Sequence, residues 1–587
     1  MSRTAPQQAG VGGSPKLGCP AAGHGNGPMN EIALARESAA ADRRRAGPAT
    51  LAVLGAWVLA GAVVSGAGHL RGIGRPFCGW EGWMSAHFAT MARSFRRHGV
   101  IALGGVPVQN NPPLGAQVDA YVHWPPLLPI VLSGAFAAFG ESEAVARGLT
   151  LALLAGMAGL TYLLLAAAGR RAGGPVAVAA MLGMPVVAEW GLTVLHLHLA
   201  LLGALAAAVC YVKAAGDGAQ RRRGLWAAAG AAALVCGVAA SWEAALLCPG
   251  LLAAAAWSRR RRQVALAGLY CAVAVAAAGG VVALYWLRYP GMMEQLFRTA
   301  LWRVGLADFR PDGALVHSLL YEQVRGVARP GAWQKVQRLY EYSRLIGLAP
   351  LLLLTAAAAV GGVAAAVRRR PGALFAAAAG LLGICVLWLV GMGNHWYYHP
   401  YQMLMAVPAA AVACGVAGDA VLSAAALRRR RAARAALWLA GAVALPACLL
   451  LPLAIHHPAD RPRMTRRVAA ALAVRRHTPP NAVVLSPDTN MVTVYYADRH
   501  VIRGAAGDAA IASVLPRVVE AFPGSPVYFA CTPGEHDERL TAATVAAGSA
   551  VYSGAELVLV RLSPRAPPTA TAGTAATAPS SASGSSR

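Results

Sequence analysis

The side chains with chemical promise fall into two stretches. The first runs Gly79, Trp80, Glu81, Gly82, Trp83 and on through Met84 to Arg97, with Arg93, Arg96 and Arg97 near its end. It continues as Tyr121, Val122, His123, Trp124, Pro125, Pro126, Leu127, then Phe139, Gly140, Glu141, Ser142, Glu143 and Arg147. The second is Gly393, Asn394, His395, Trp396, Tyr397, Tyr398, His399, Pro400, Tyr401, Gln402. A carboxylate such as Glu81 can take a proton from a reacting hydroxyl, and an arginine fork can give two hydrogen bonds to a phosphate. Each group also has an ordinary reading. Glu81 suits the amide dipoles of a helix start, the arginines suit lipid headgroups, and the aromatic residues suit an interfacial belt. Consecutive prolines fix φ and keep the preceding residue out of the helical region, so His123 and Trp124 are expected to be extended just before an apolar helix. That geometry aims side chains into a surface cleft.

The elements that must carry these residues are membrane spans. The chain has 587 residues, 57% of them hydrophobic and only 13% charged, and the apolar residues come in blocks long enough to cross a bilayer. The net charge of +27 does not imply nucleic acid, because the basic residues sit in short clusters between apolar blocks, as an orientation signal does. Those clusters, Arg43 to Arg45, Arg221 to Arg223, Arg259 to Arg262, Arg368 to Arg370 and Arg428 to Arg431, are expected on the cytoplasmic side against anionic lipid. Spans are expected at about 48–68, 145–168, 174–190, 191–212, 224–240, 241–257, 263–287, 346–366, 372–391, 401–424 and 433–455. This places the loops 69–124, 288–345 and 392–400, with the junctions near 190 and 241, on the outer side. Residues 125–140 are apolar but short for the roughly 20 residues that a span needs, leaving a re-entrant or interfacial block, or a misdivided neighbour. Met84 to Arg97 reads as an amphipathic helix at the interface with Trp80 and Trp83 at headgroup level.

The domain plan is a disordered cytoplasmic tail (1–46), a transmembrane domain (47–457), an outer α/β domain (458–565) and a disordered tail (566–587). In the outer domain, 482–486, 491–496, 526–530 and 556–562 read as strands, and 508–521 and about 538–547 as helices. Covering an active site and stabilising the membrane bundle both fit that domain. Of the cysteines outside apolar blocks, Cys78 and Cys531 are open to bridging. No cofactor and no metal site is expected; His196 and His198, two apart on a helix, do not share a face. Glu189 and Glu243, near outer helix ends, are candidates for acceptor binding, since a boundary carboxylate is costly without a partner. Gly82 fits either room for a ring or a turn.

The order of these motifs resembles the GT-C superfamily of integral membrane glycosyltransferases. The pattern is an acidic residue after the first span, a helix, an aromatic or His residue before Pro-Pro-Leu, then Phe-Gly with Glu and Arg. The nearest likeness is to the protein mannosyltransferase and aminoarabinose transferase group, strong over 75–150, diffuse over the remaining spans and architectural only for the outer domain. The family's functional carboxylate is usually Asp, often as Asp-Glu, whereas here Trp80 precedes a single Glu81. The resemblance implies a polytopic α-helical membrane protein of about 11–13 spans in the cell membrane, with its active face extracytoplasmic. It further implies a polyprenyl-phosphate-linked sugar as donor, an acceptor that is protein, lipid or glycan, and transfer with inversion. Glu81 would be the base, and Arg93, Arg96, Arg97 and Arg147 candidates for the leaving phosphate. His123 and Trp124 would line the cleft. Asn394, His395, Tyr397, Tyr398, His399 and Tyr401 match the family's late loop beside the lipid phosphate, though the basic residue often found there is absent. The competing reading is a lipid or solute transporter or flippase, for which internal repeats and a polar route through the bilayer would be expected; a noncatalytic envelope scaffold leaves the ordered motifs unexplained.

Overall fold

The computed structural model describes residues 72–111, 120–216, 221–289, 292–304, 331–346, 372–423, 461–488, 490–503, 508–533 and 548–562. All lie in one compact unit, 54–587. The expected spans at 48–68, 346–366 and 433–455, both tails and the helix near 538–547 fall outside the described residues.

The helices follow in chain order. α1 is Gly79–His98, α2 Leu127–Phe139, α3 Glu143–Ala167, α4 Gly173–Gly183 and α5 Pro185–Trp190. Next come α6 His196–Ala215, α7 Arg223–Ala240, α8 Leu247–Ser258, α9 Arg261–Arg288, α10 Met292–Val304 and α11 Ala332–Ile346. α12 is Ala373–Gly391, α13 Gly393–Tyr398 and α14 Val407–Ser423, and two 3₁₀ turns, Trp242–Leu246 and Pro400–Ala406, lead into α8 and α14. Six helical segments are long and apolar enough to cross a membrane: α3, α6, α7, α9, α12 and the 400–420 segment. The fold is therefore a polytopic α-helical membrane protein. The expected boundaries for these spans hold to within a few residues, except the one at 191–212, whose helix starts later, at His196.

Small residues let the spans approach. A Cβ on Gly203 of α6 would lie 2.7 Å from both the Ala233 carbonyl oxygen and the Gly237 Cα of α7, so these backbones meet directly, as helices in lipid do. The chain enters α3 through a cap in which the Ser142 hydroxyl accepts from Val145 N, 3.2 Å away, satisfying a donor that the helix start leaves open.

The short block at 125–140 forms α2, whose 13 residues reach only about 20 Å. Both its ends lie at the same end of the bundle. Trp124, just before it, packs against His395, and Glu141, just after it, pairs with Arg93. At the opposite end, Arg170 beyond α3 pairs with Asp419 near the end of α14 at 3.2 Å. α2 is thus one of the apolar helices shorter than a span.

α1 departs from expectation. It is not a surface-lying amphipathic helix, for Met84 to Phe95 is buried throughout and only Arg96 and Arg97 are exposed. Its polar residues are buried because each of several finds a protein partner: Ser85 Oγ accepts from Val194 N at 3.1 Å, and Ser94 Oγ donates to the Asn110 carbonyl at 2.9 Å. A Cβ at Gly82 would come 2.6 Å from the Phe77 carbonyl carbon, so this glycine admits the chain that crosses back over the helix start.

The carboxy-terminal domain begins with α15 (Arg461–His477) and continues β1 (Val483–Ser486), α16 (Met491–Ala497), β2 (His500–Arg503), α17 (Asp508–Ala521), β3 (Val527–Cys531), β4 (Ser549–Ser553) and β5 (Val558–Leu562). Its sheet has the order β2-β1-β3-β5-β4, parallel across β2, β1 and β3 and antiparallel thereafter. The expected strand at 491–496 is instead α16. Its β-branched and aromatic run has strand propensity, but parallel β1 and β2 require a crossover between them, and α16 supplies it, capped by Asn490, whose side chain accepts from Val492 N. Sequence reading also missed the short strands β2 and β4. Cys78 and Cys531 are free thiols.

Candidate functional site

The two stretches singled out in the sequence meet around Trp124. The chain bends at His123 and Trp124 rather than running extended, Pro126 caps α2, and Trp124 is buried in the bundle, 2% exposed. Its ring stacks on His196 at the start of α6, centroids 4.1 Å apart and 22° from parallel. It meets His395 edge-on at 5.5 Å and Trp388 at 6.0 Å. The Arg303 guanidinium of α10 lies over the same ring, 4.3 Å from its centre, a cation–π contact strengthened by the loss of water. The backbone is pinned as well: Tyr285 Oη of α9 donates to the Trp124 carbonyl at 2.7 Å, and Trp242 Nε1 donates to the His123 carbonyl at 3.0 Å.

Titratable groups surround that ring. His123 Nε2 lies 3.2 Å from Thr299 Oγ1 of α10. Burial and then the Arg303 charge push the His123 imidazole down to about 3, so it is neutral at physiological pH and the hydrogen bond is one between uncharged partners. His395 is held well below the usual range by burial and by the neighbouring His399, with Arg303 adding to the effect. The His395 and His399 rings are 4.4 Å apart, and His399 lies 5.3 Å from Tyr401. Glu243, fully buried, faces His196 Nε2 at 3.7 Å and receives the Ser241 hydroxyl. Neither ring nitrogen of His196 has a hydrogen bond, and Nδ1 of His395 has none. Buried polar atoms left in this state are costly, and a polar ligand at this end of the bundle would relieve that cost.

The late turn is braced by the helices of the 288–345 loop. Asn394 Nδ2 donates to the Trp302 carbonyl at 2.9 Å. Arg338 of α11 reaches the Tyr397 carbonyl at 3.4 Å and lies 5.6 Å from the centre of the Tyr397 ring. The structure thus brings together His123, Trp124, Glu243, His395, His399 and Tyr401, with Asn394 and Tyr397 alongside. Glu189 is half-buried in α5, next to Trp190, which packs on Tyr401 at 5.9 Å. Glu81 and Tyr398 are described only as backbone positions, in the first turn of α1 and at the end of α13.

The four arginines expected at a phosphate sit elsewhere. Arg93 Nε pairs with Glu141 at 2.5 Å, and Arg93 Nη1 donates to the Tyr495 carbonyl at 2.7 Å and to Asp498 at 3.1 Å. Arg96 pairs with Glu141 at 2.8 Å and Arg97 with Asp498 at 2.7 Å. Arg147 Nη1 donates to the carbonyls of Ile73, at 3.1 Å, and Arg75, while Nη2 donates to that of Pro76 at 3.3 Å. None of these partners belongs to the Trp124 cluster. The residues that sequence reading missed are Arg303 and Thr299, lost within an amphipathic helix, and His196, read as core packing.

This arrangement, an apolar helical bundle followed by a small mixed sheet domain, has counterparts among solved structures. The Archaeoglobus fulgidus oligosaccharyltransferase AglB, solved with an inhibitory peptide and a dolichol-phosphate, matches with a TM-score of 0.51 at 13% identity, over 82% of this chain and 69% of that one. ArnT from Cupriavidus metallidurans, solved with undecaprenyl phosphate, matches with a TM-score of 0.44 at 16% identity, over 87% of this chain and 99% of that one. No family model matches the sequence, and no curated protein matches it.

Proposed function

We propose that this protein transfers a sugar from a polyprenyl phosphate to an envelope acceptor at the extracytoplasmic face of the membrane, and that within the GT-C fold it stands nearest the protein mannosyltransferase and aminoarabinose transferase group. The observation that carries the reading is the Trp124 cluster: imidazoles, a buried carboxylate and one guanidinium gathered at one end of an apolar bundle. A lipid tail can stay in hydrocarbon there while a phosphate and sugar meet polar groups. The dolichol-phosphate held by the archaeal enzyme of like fold supports the same class of lipid here.

In this reading, Glu81 takes the proton from the acceptor hydroxyl while that oxygen bonds to the anomeric carbon. The bond from that carbon to the phosphate oxygen breaks, and its electron pair leaves with the phosphate. One displacement gives inversion. Positions 81, 85 and 88 form one stripe of a 3.6-residue helix. Ser85 and Phe88 on that stripe meet the loop before α6 and His196, which supports Glu81 as the carboxylate at this end. We assign the leaving phosphate to Arg303, a cation in a water-poor setting where charge stabilisation is strong, with Thr299 and His395 as further donors. Arg93, Arg96, Arg97 and Arg147 act through position rather than phosphate contact. Glu189 and Glu243 are placed on the acceptor or sugar hydroxyls, and Tyr397, Tyr398 and Tyr401 beside the sugar.

The test is mass spectrometry of products from the purified protein in lipid, given a panel of polyprenyl-phosphate sugars and envelope acceptors. A covalent sugar–acceptor product with inverted configuration supports the reading. Sugar lipid crossing vesicles with no such product would favour a transporter.

A further inference from the structure

The carboxy-terminal domain touches the membrane domain where the helix carrying Glu81 begins. The Phe77 amide, four residues before Glu81, donates to Tyr496 Oη of α16 at 2.7 Å, and Tyr496 Oη donates to Glu143 Oε1 at 2.5 Å. The Phe77 ring is fully buried. It lies between Tyr495 of α16, 5.2 Å away, and the Arg147 guanidinium of α3, 5.0 Å away. Arg147 also holds the three carbonyls just upstream, those of Ile73, Arg75 and Pro76. The same domain is fixed at two further points. Asn110 forms a two-way amide contact with Val501 of β2, accepting from its N–H at 2.9 Å and donating to its carbonyl at 2.8 Å, and so covers an edge strand. Asp498, in a left-handed conformation (φ 51°) that ends α16, receives Arg93 and Arg97 of α1.

We infer that the α/β domain is a positioning element of the active site: Tyr496 and Arg147 together clamp residues 73–77, and this clamp sets the first turn of α1, with Glu81, in register with the cluster around Trp124. The domain therefore does more than lie over the loops. A single hydroxyl, Tyr496 Oη, bridges the chain before α1 to the start of the span α3. Tyr496 is a positioning residue and does not touch substrate.

The inference rests on the glycosyl-transfer reading, so its test has two arms on the full-length protein in lipid nanodiscs. In the first, amide hydrogen exchange compares wild type with Tyr496→Phe and Arg147→Lys. The expected result is exchange about tenfold faster or more in the peptide covering 73–82, with β3 and the spans unchanged as the check on folding. In the second, steady-state transfer is expected to lose about 10- to 100-fold in kcat, the cost of misplacing a reacting group by about 1 Å, with the donor KM within about twofold. Unchanged exchange at 73–82 overturns the clamp. Faster exchange with an unaltered kcat, or a loss confined to KM, overturns the positioning role. A wild type that transfers no sugar removes the enzyme reading and the positioning role with it, while the exchange arm alone still decides whether the clamp exists.

Discussion

Trp124 and His196 stack face to face at 4.1 Å, joining the end of the first loop to the start of α6, the second long apolar helix after it. That contact makes the site a property of the assembled bundle, since one partner is held by Pro125 and the other by the first turn of α6. Truncating Trp124 to Ala should cost about 3–5 kcal/mol, as for other buried aromatic side chains, and abolish transfer, whereas Trp124→Phe retains a ring for His196 and should retain measurable turnover. Thermal unfolding in detergent with parallel transfer assays checks both halves. Equal losses in the two variants would remove stacking from the account.

The Arg303 guanidinium lies over that ring. Replacing it with Gln keeps much of its bulk and removes its charge, and a charge-assisted contact is worth about 1.5–3 kcal/mol. Turnover should fall by about 10- to 100-fold, more than in Arg303→Lys, which keeps the charge but loses the planar fork. Saturation curves with the lipid-linked donor measure this; an Arg303→Gln variant with normal turnover would move the phosphate elsewhere.

Much of this was legible in the sequence because it depends on local physics. Apolar blocks broken by arginine clusters mark the spans, and the Pro125–Pro126 pair marks the turn that aims Trp124. What was hidden depends on tertiary partners. The helix α16 looks like a strand until β1 and β2 are seen to be parallel. The arginines of α1 look ready for phosphate until Glu141 and Asp498, the latter about 400 residues distant, arrive beside them. Arg303 and His196 carry no local mark because their significance is the ring between them.

The Asp498 contacts predict an acid-sensitive junction. Burial alone would raise its carboxyl, but hydrogen bonding from Arg97 and the charges of Arg93 and Arg97 outweigh burial, and the group lies below the ordinary carboxylate value. A depressed carboxylate stabilises the fold above its unfolded pKa near 3.9, and that stabilisation is lost as pH falls through the lower folded value. The α/β domain should stay protected from protease at pH 7 and become cleavable as pH drops below about 4. Asp498→Asn should show the same susceptibility at neutral pH, because removing one partner of a buried pair costs about 3–5 kcal/mol. A variant as resistant as wild type would show the pair to be dispensable.

The buried imidazoles act over a different range. His123 is held near 3 and His395 is also depressed, whereas an unfolded histidine titrates near 6.5. The unfolded chain therefore binds more protons once pH falls below about 6.5, so their stabilisation is complete above that value and erodes as pH drops toward the folded value. The melting temperature should decline from pH 6.5 downward, less steeply in His123→Asn, while donor affinity stays level between pH 7.5 and 5.5 because His123 remains uncharged there. Donor affinity that instead rises with a midpoint near 6.5 would mean a protonated, exposed imidazole at the site.

The most direct measurement compares Glu81→Gln with wild type, both correctly inserted in lipid, for covalent sugar transfer and for donor binding. The account predicts a loss of at least about 10²-fold in transfer, the scale of general-base assistance, with donor affinity unchanged. Transfer by the variant at the wild-type rate would contradict it.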